Sequence, residues 1–280
     1  PQALARAAAA AGVVTETEKP GRRIRIERDR AAGVILEDGD VLRARTVVAN
    51  VNPSLLYTRM IDAAHLPADF SRRMKQYKNG SGTFRMNVAL RDLPRFTCLE
   101  KQSRATADHL TGGIVIAPTM AYLDRAFRDA RDKGWSAAPI IEMLIPSILD
   151  PSLAPEGRHV ASLFCQQFDP NLAWDEYRDQ AADAIIDQVE KFAPGFRDSI
   201  LGRQILSPLD LERIFGLTRG DIMHGRLTLD QMFSARPLLG HGDYRAPVKG
   251  LYMCGSGSHP GGGVTGAPGH NAAREILRDR

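Results

Sequence analysis

"GLYMCGSGSHPGGGVTGAPGHNAAREIL", residues 250–277, is the stretch on which the reading of this chain turns. Seven of the 25 glycines in the 280-residue chain fall between Gly255 and Gly269, too dense for turn punctuation alone. Upstream, "GLYMCG" reads as a short apolar strand. Downstream, "NAAREILRD" reads as a helix in which Ala272 and Ala273 permit close packing, with Pro268 near its start. A strand, a glycine loop and a helix in that order let backbone amides approach a ligand without Cβ interference. The helix N-terminus adds partial positive charge that favours phosphate or an electron-rich ring oxygen. A flexible surface loop is the alternative reading of the same residues. The loop is not a P-loop, because no Gly-Lys-Ser or Gly-Lys-Thr follows, and no G-x-S-x-G elbow surrounds Ser256 or Ser258. A simple Rossmann fingerprint also fails, since it belongs to a first βα unit followed by further strands.

The rest of the chain has the composition of an ordinary globular protein, with 43% apolar and 25% charged residues. No apolar run approaches the roughly 18 residues that a membrane span needs. The 37 basic and 33 acidic groups are interspersed, so the net charge of +4 marks solvated surface rather than a nucleic-acid site. Cys98, Cys165 and Cys254 form no C-x-x-C pair and have no histidine at zinc-ligand spacing, which fits a reducing compartment and no metal site. The opening "PQALARAAAAAGVV" lacks an initiator Met and the order of a signal peptide, and reads as a chain whose beginning is missing.

Gln2 to Ala11 is expected to form an alanine-rich helix that ends near Gly12. A β meander follows: Ile24 and Ile26 alternate with charges, Asp38-Gly39 signals a hairpin, and "RTVVAN" is a short buried strand. The basic "RRIRIERDR" within it reads as a solvated strand edge. From about Tyr57 to Gly216 the segments "TFRMNVAL", "GGIVIA", "IIEMLIPS" and "HVASLFCQ" have strand character, and their inward faces offer aliphatic side chains to an apolar cavity, Glu142 excepted. Trp174, Tyr177, Ala181, Ile185, Val189 and Phe192 recur at helical spacing and read as core. Ser207 and Pro208 signal another helix start.

Residues 250–273 resemble the C-terminal cofactor motif of the phytoene-desaturase-like flavoproteins, in which a strand leads into G-x-G-[ST]-H-P-G-x-G and a helix. "GDIMHGRLTLDQMFSARP", "LDPSLAPEGRHVASLF", "SPLDLERIFGLT" and "VVANVNP" resemble the phytoene-dehydrogenase-related branch, so the likeness covers nearly the whole chain. It implies an α/β (α+β) fold: the C-terminal part of a glutathione-reductase-like FAD-binding fold, interrupted by a mixed-sheet substrate domain, with the N-terminal Rossmann unit absent. Residues 1–56 would be an FAD-domain segment, 57–245 the substrate domain and 246–280 the FAD-binding strand, loop and helix. The implied partners are FAD, an apolar small molecule and the missing Rossmann half, with no nucleic acid and with peripheral membrane contact left open. An exposed apolar face on the meander and last helix would favour a dimer of the fragment.

Carried over by motif, Gly255, Ser256, Gly262, Gly263 and Val264 would lie along the flavin, and a side chain at Gly263 would intrude where amides must reach it. His259 is either a polar group at the flavin edge or a histidine bonded to its own loop. His224 is either an acid or base on the substrate side or a structural histidine. Arg236 either faces the cofactor or anchors the returning strand. The branch's name refers to disulphide reduction, which needs two neighbouring cysteines, and Cys254 reads instead as a small buried strand residue. The implied activity is that of an FAD-dependent oxidoreductase, cytoplasmic or membrane-peripheral, acting on an apolar, isoprenoid- or lipid-like substrate. The alternative is a non-catalytic binding protein that keeps the fold.

Overall fold

The protein is described from a computed structural model covering residues 2–80, 82–99 and 107–280. In chain order its elements are α1 (Gln2–Ala10), β1 (Gly21–Glu27), β2 (Arg30–Leu36), β3 (Val41–Arg43), β4 (Val47–Ala49), α2 (Pro53–Leu55), α3 (Ala68–Met74), β5 (Thr83–Leu90) and β6 (Ile114–Ile116). There follow α4 (Met120–Lys133), β7 (Trp135–Leu144), β8 (His159–Phe168), α5 (Trp174–Phe192), α6 (Phe196–Ser199), β9 (Ile200–Leu206), α7 (Pro208–Phe215), β10 (Leu251–Met253) and α8 (Ala267–Arg278). Helices and sheets mix as the sequence led us to expect. Two compact units result, one made of Pro1–Tyr77 with Met232–Arg280 and the other of Lys78–Gln231. Segments 57–77 and 232–245 thus pack with the first unit rather than with the middle of the chain. The reason is apolar: Tyr57, Phe70, Met74, Tyr77, Leu238 and Val248 share one buried cluster with Val47, Ala49, Leu251 and Met253.

In the first unit β1, β2 and β3 form an antiparallel meander, and the Asp38-Gly39 turn closes its second hairpin with Gly39 at φ +92°. Gly33 has to be glycine, because a Cβ there would run into the Leu42 carbonyl oxygen of the neighbouring strand. The arginines of "RRIRIERDR" lie outside the core, while Ile24 points into it. β4 and β10, some two hundred residues apart in sequence, pair in parallel with Val47, Val48 and Ala49 opposite Leu251, Tyr252 and Met253. Their carboxyl ends therefore lie side by side, which is where ligands bind in parallel α/β arrangements.

The second unit is a five-stranded sheet in the order β6-β7-β8-β5-β9. Phe84, Met86, Val88 and Leu90 of β5, Ile141 and Met143 of β7, and Leu163 and Cys165 of β8 point to one face. There they pack against Ala181, Ile185 and Val189 of α5. Trp174 starts that helix and meets Phe84 and Phe168 at ring distances of 5.7 and 5.8 Å. The aliphatic faces expected to bound a cavity are consequently filled by helix side chains and form a solid core. The opposite face carries a continuous row, Val115–Glu142–Phe164–Arg85–Leu206, set by strand register. Ser207 caps α7 in a reciprocal box with Asp210, and Pro208 occupies its first turn. Arg203 ties β9 to α5 through Asp183 and Asp179, at 2.5 and 3.2 Å.

Where residue 78 meets residue 231, the second unit is closed by polar bonds. Gln231 Oε1 accepts from the Lys78 amide at 2.7 Å, and Gln231 Nε2 donates to the Lys78 carbonyl at 3.0 Å. Asp221, 0% exposed, accepts from the amides of Gly80, Met223 and Gly225 at 2.7, 2.9 and 3.0 Å.

Candidate functional site: a glycine loop at two parallel strand ends

The loop 255–266 starts where β10 ends, beside the stretch that follows β4. The Cys254 amide donates to the Ala49 carbonyl at 2.9 Å, continuing the ladder one step beyond the strand. Gly255 then turns at φ +81°, and a Cβ there would collide with Oδ1 of Asn50. A Cβ at Gly257 would lie 2.7 Å from the Pro53 ring. These two glycines let the two chain segments touch, so the tight packing falls here. Asn52 makes the neighbouring turn, accepting from the Ser54 amide at 2.8 Å, and Pro53 follows in the first turn of α2.

The amides at the start of the loop are used internally: Ser258 N–H donates to the Gly255 carbonyl at 3.0 Å and Gly261 N–H to the Ser258 carbonyl at 2.7 Å. Beyond that the pattern changes. Among the described residues none accepts from the amides of Gly262, Gly263, Val264, Thr265 or Gly266. These five successive N–H groups lead into α8, whose first turn holds Pro268 and whose N-cap Gly266 sits at φ +74°. Unused amides running into a helix N-terminus form a cradle for negative or electron-rich groups. Val264 is fully exposed and held at φ +55°, a conformation that costs a β-branched residue about 1–3 kcal/mol and that clusters at ligand sites. The space beside Gly263 is open, with only Thr265 Cγ2 at 3.6 Å from an added Cβ, so within the chain its need is for φ +134° rather than for room.

Several residues hold the loop from behind. Arg236, 1% exposed, donates from Nε to the Ser256 carbonyl at 2.7 Å. The Tyr244 hydroxyl donates to the His259 carbonyl at 2.9 Å and accepts from Asn271 Nδ2 of α8 at 2.9 Å. The Ser258 hydroxyl is buried, and neither it nor Nδ1 of His259 has a hydrogen-bond partner among the described residues. The far end of α8 is pinned by Arg245, which pairs with Glu275 at 2.9 Å and Asp279 at 2.8 Å, while Tyr252 donates to Asp279 at 2.7 Å. Those bonds hold the Asp279 carboxyl at about 2 and raise the Arg245 guanidinium.

The structure therefore brings Gly255, Ser256, His259, Gly262, Gly263, Val264 and Arg236 into one unit and one loop region. His224 belongs to the other unit, on a turn at φ +55° whose amide donates to the Asp221 carbonyl at 3.2 Å. Cys254 lies just past the strand and is half-buried rather than a buried strand residue, because the ladder's side-chain cover ends at Met253. Burial pushes its thiol up, the opposite of what a reactive thiolate needs. Tyr244 and Asn271 carry no signal in the sequence, and Asn50 and Pro53 show there only as the break after a strand. A glycine whose neighbour is two hundred residues away leaves no local signal.

A strand-loop-helix cradle at paired parallel strand ends, joined to a unit built on a five-stranded sheet, defines a flavoprotein class. The chain belongs to the family of flavin-containing amine oxidoreductases, whose profile matches residues 1–277. Membership makes FAD the cofactor of the class, and the cradle fits it: free amides that run into a helix N-terminus. The chain is 42% identical to pyridine nucleotide-disulfide oxidoreductase domain-containing protein 2 of Rattus norvegicus, over 99% of this chain and 49% of that protein. It is 24% identical to a limonene dehydrogenase polypeptide of Castellaniella defragrans, over 99% of this chain and 53% of the relative. An oxidoreductase structure from Methanosarcina mazei superposes with a TM-score of 0.64 at 16% identity, covering 99% of this chain and 53% of that one, and so shares the fold. The chain spans about half the length of these relatives.

Proposed function

We propose that this chain supplies the flavin-facing loop and the sheet unit of an FAD-dependent oxidoreductase that removes or adds hydride equivalents at an apolar, isoprenoid- or lipid-like substrate. The observation that carries the reading is the run of five unused amides from Gly262 to Gly266 entering α8. When bound, FAD supplies the redox chemistry, and the chain supplies orientation and electrostatics. Backbone N–H groups of 262–266 hold electron-rich ring atoms, and Gly255 and Ser256 lie along the cofactor's chain. His259 lies within the loop, and His224, on the sheet unit, is the candidate acid or base that this unit contributes. The dinucleotide end of FAD is held by sequence outside these 280 residues, in keeping with relatives twice as long. The apolar substrate class draws on the limonene dehydrogenase relative.

The test is to purify the protein at its full encoded length and record its flavin spectrum. It should be yellow, and anaerobic addition of limonene, a carotenoid polyene or a lipid quinol should bleach the flavin with at least one of them. A colourless full-length protein that does not take up added FAD would refute the reading. A yellow protein bleached by hydrophilic amines and by none of these would refute the substrate class alone.

A further inference from the structure

We propose that Arg236 is the positioning residue of the glycine loop. Sealed beneath the loop, it holds residues 256–261 in the turn that leaves the amides of 262–266 free, and it sets a guanidinium under the flavin site. The proposal rests on the FAD reading above and assigns to one side chain a role in cofactor binding and in redox tuning.

Arginine is rarely buried outright, because removing its charge from water costs several kcal/mol. Arg236 is nevertheless 1% exposed. Its Nε donates to the Ser256 carbonyl on one limb of the loop at 2.7 Å. On the other limb is Gly261, at φ +100°, where an added Cβ would come within 3.5 Å of the same Nε and 3.7 Å of Cδ. One planar group therefore lies against both limbs, and the loop's own bonds from Ser258 to Gly255 and from Gly261 to Ser258 wind the turn between them. A lysine could keep the charge but has no Nε at that depth and no plane for Gly261 to lie against. A charge held away from water is screened far less than a surface one. Transfer of a hydride, two electrons with one proton, from a substrate C–H bond leaves the flavin one unit more negative. A fixed cation beneath the loop favours that reduced form over the oxidised one.

The experiment compares Arg236→Lys and Arg236→Met with the wild type at full encoded length. It measures FAD retained on dialysis, the affinity of apoprotein for FAD, and the two-electron midpoint potential against a reference dye. Arg236→Met should lower the preference for reduced over oxidised flavin by about tenfold or more, a midpoint about 30 mV lower. Arg236→Lys should keep the potential nearer the wild type yet lose FAD affinity, separating the charge from the planar shape. A merely space-filling side chain would leave the potential unmoved. Wild-type affinity and potential in both variants would overturn the proposal. Should Arg236→Met not fold, wild-type FAD affinity in Arg236→Lys is sufficient to overturn it. Absence of FAD from the wild-type protein would overturn the FAD reading and this inference together, whereas unchanged variants of a yellow wild type would sink the inference alone.

Discussion

Replacing Asp221 should destabilise the second unit more than any other single polar change in it. Its carboxylate is 0% exposed and takes three backbone amides at 2.7, 2.9 and 3.0 Å, from Gly80, Met223 and Gly225. Hydrogen bonds to a charged group are each worth about 1.5–3 kcal/mol, and a buried donor left without its acceptor costs about 1–3 kcal/mol. The three bonds share one acceptor group and are not additive, so Asp221→Ala should cost about 3–5 kcal/mol, the range seen when one partner of a buried charged contact is removed. Asp221→Asn keeps one acceptor oxygen but turns an N–H₂ towards a donor, and should cost about 2–3 kcal/mol. Urea unfolding read at Trp174, which is buried in that unit, measures both. The midpoint should fall with little change in slope. Hydrogen exchange at Gly80, the one of the three amides far from the 221–225 turn in sequence, should accelerate in step. A loss below about 1 kcal/mol for Asp221→Ala would show that the carboxylate does not organise the turn that carries His224.

Gly255→Ala should cost about 1–3 kcal/mol, because φ +81° disfavours any side chain and Asn50 must move aside. Gly266→Ala, at φ +74° with nothing within 4 Å, should cost only the backbone term of about 1–2 kcal/mol; equal losses in thermal melts would show that contact with Asn50 is unimportant. Asp279 ionises at about 2 in the folded chain against an ordinary 3.8, so its bonds to Arg245 and Tyr252 contribute stability above 3.8 that is lost as pH falls towards 2. Asp279→Asn should flatten the decline of the melting temperature across that window, and an unchanged slope would dismiss the bridge. Val48 on β4 and Leu277 on α8 are 46% and 66% exposed, so the 280-residue chain alone should self-associate; a strictly monomeric sedimentation profile at high concentration would overturn this.

Local physics was legible in the sequence. Ser207 with Pro208 marked a helix start, and the box with Asp210 is there; Asp38-Gly39 marked a hairpin, and the hairpin is there. The helix from Trp174 has Ala181, Ile185 and Val189 inward, as the spacing required, but Tyr177, read as core on the same stripe, is exposed; the helix stops before Pro194. Helix α4 went unread, since its buried stripe is only Ala126 and Ala130, too small to stand out against its charges. Strand β9 went unread because Leu201 to Gln204 are exposed and show no alternation. His224 drew notice as the titratable residue of "GDIMHG", whereas the buried group in that turn is Asp221, one of whose donors, the Gly80 amide, lies far away in sequence.

By itself, then, the sequence determined what depends on neighbours within a few residues: the caps, the turns, the amphipathic stripe, and a glycine loop set between a strand and a helix. Only the tertiary structure decided which glycines are needed for room and which for their dihedral angles. It also decided that 57–77 and 232–245 pack with the flavin-loop unit, and that a buried arginine supports the loop. Each of those depends on a contact between segments far apart in the chain, such as Gly255 with Asn50 or Arg236 with Ser256, and close approach of that kind is a property of packed surfaces that no local pattern encodes.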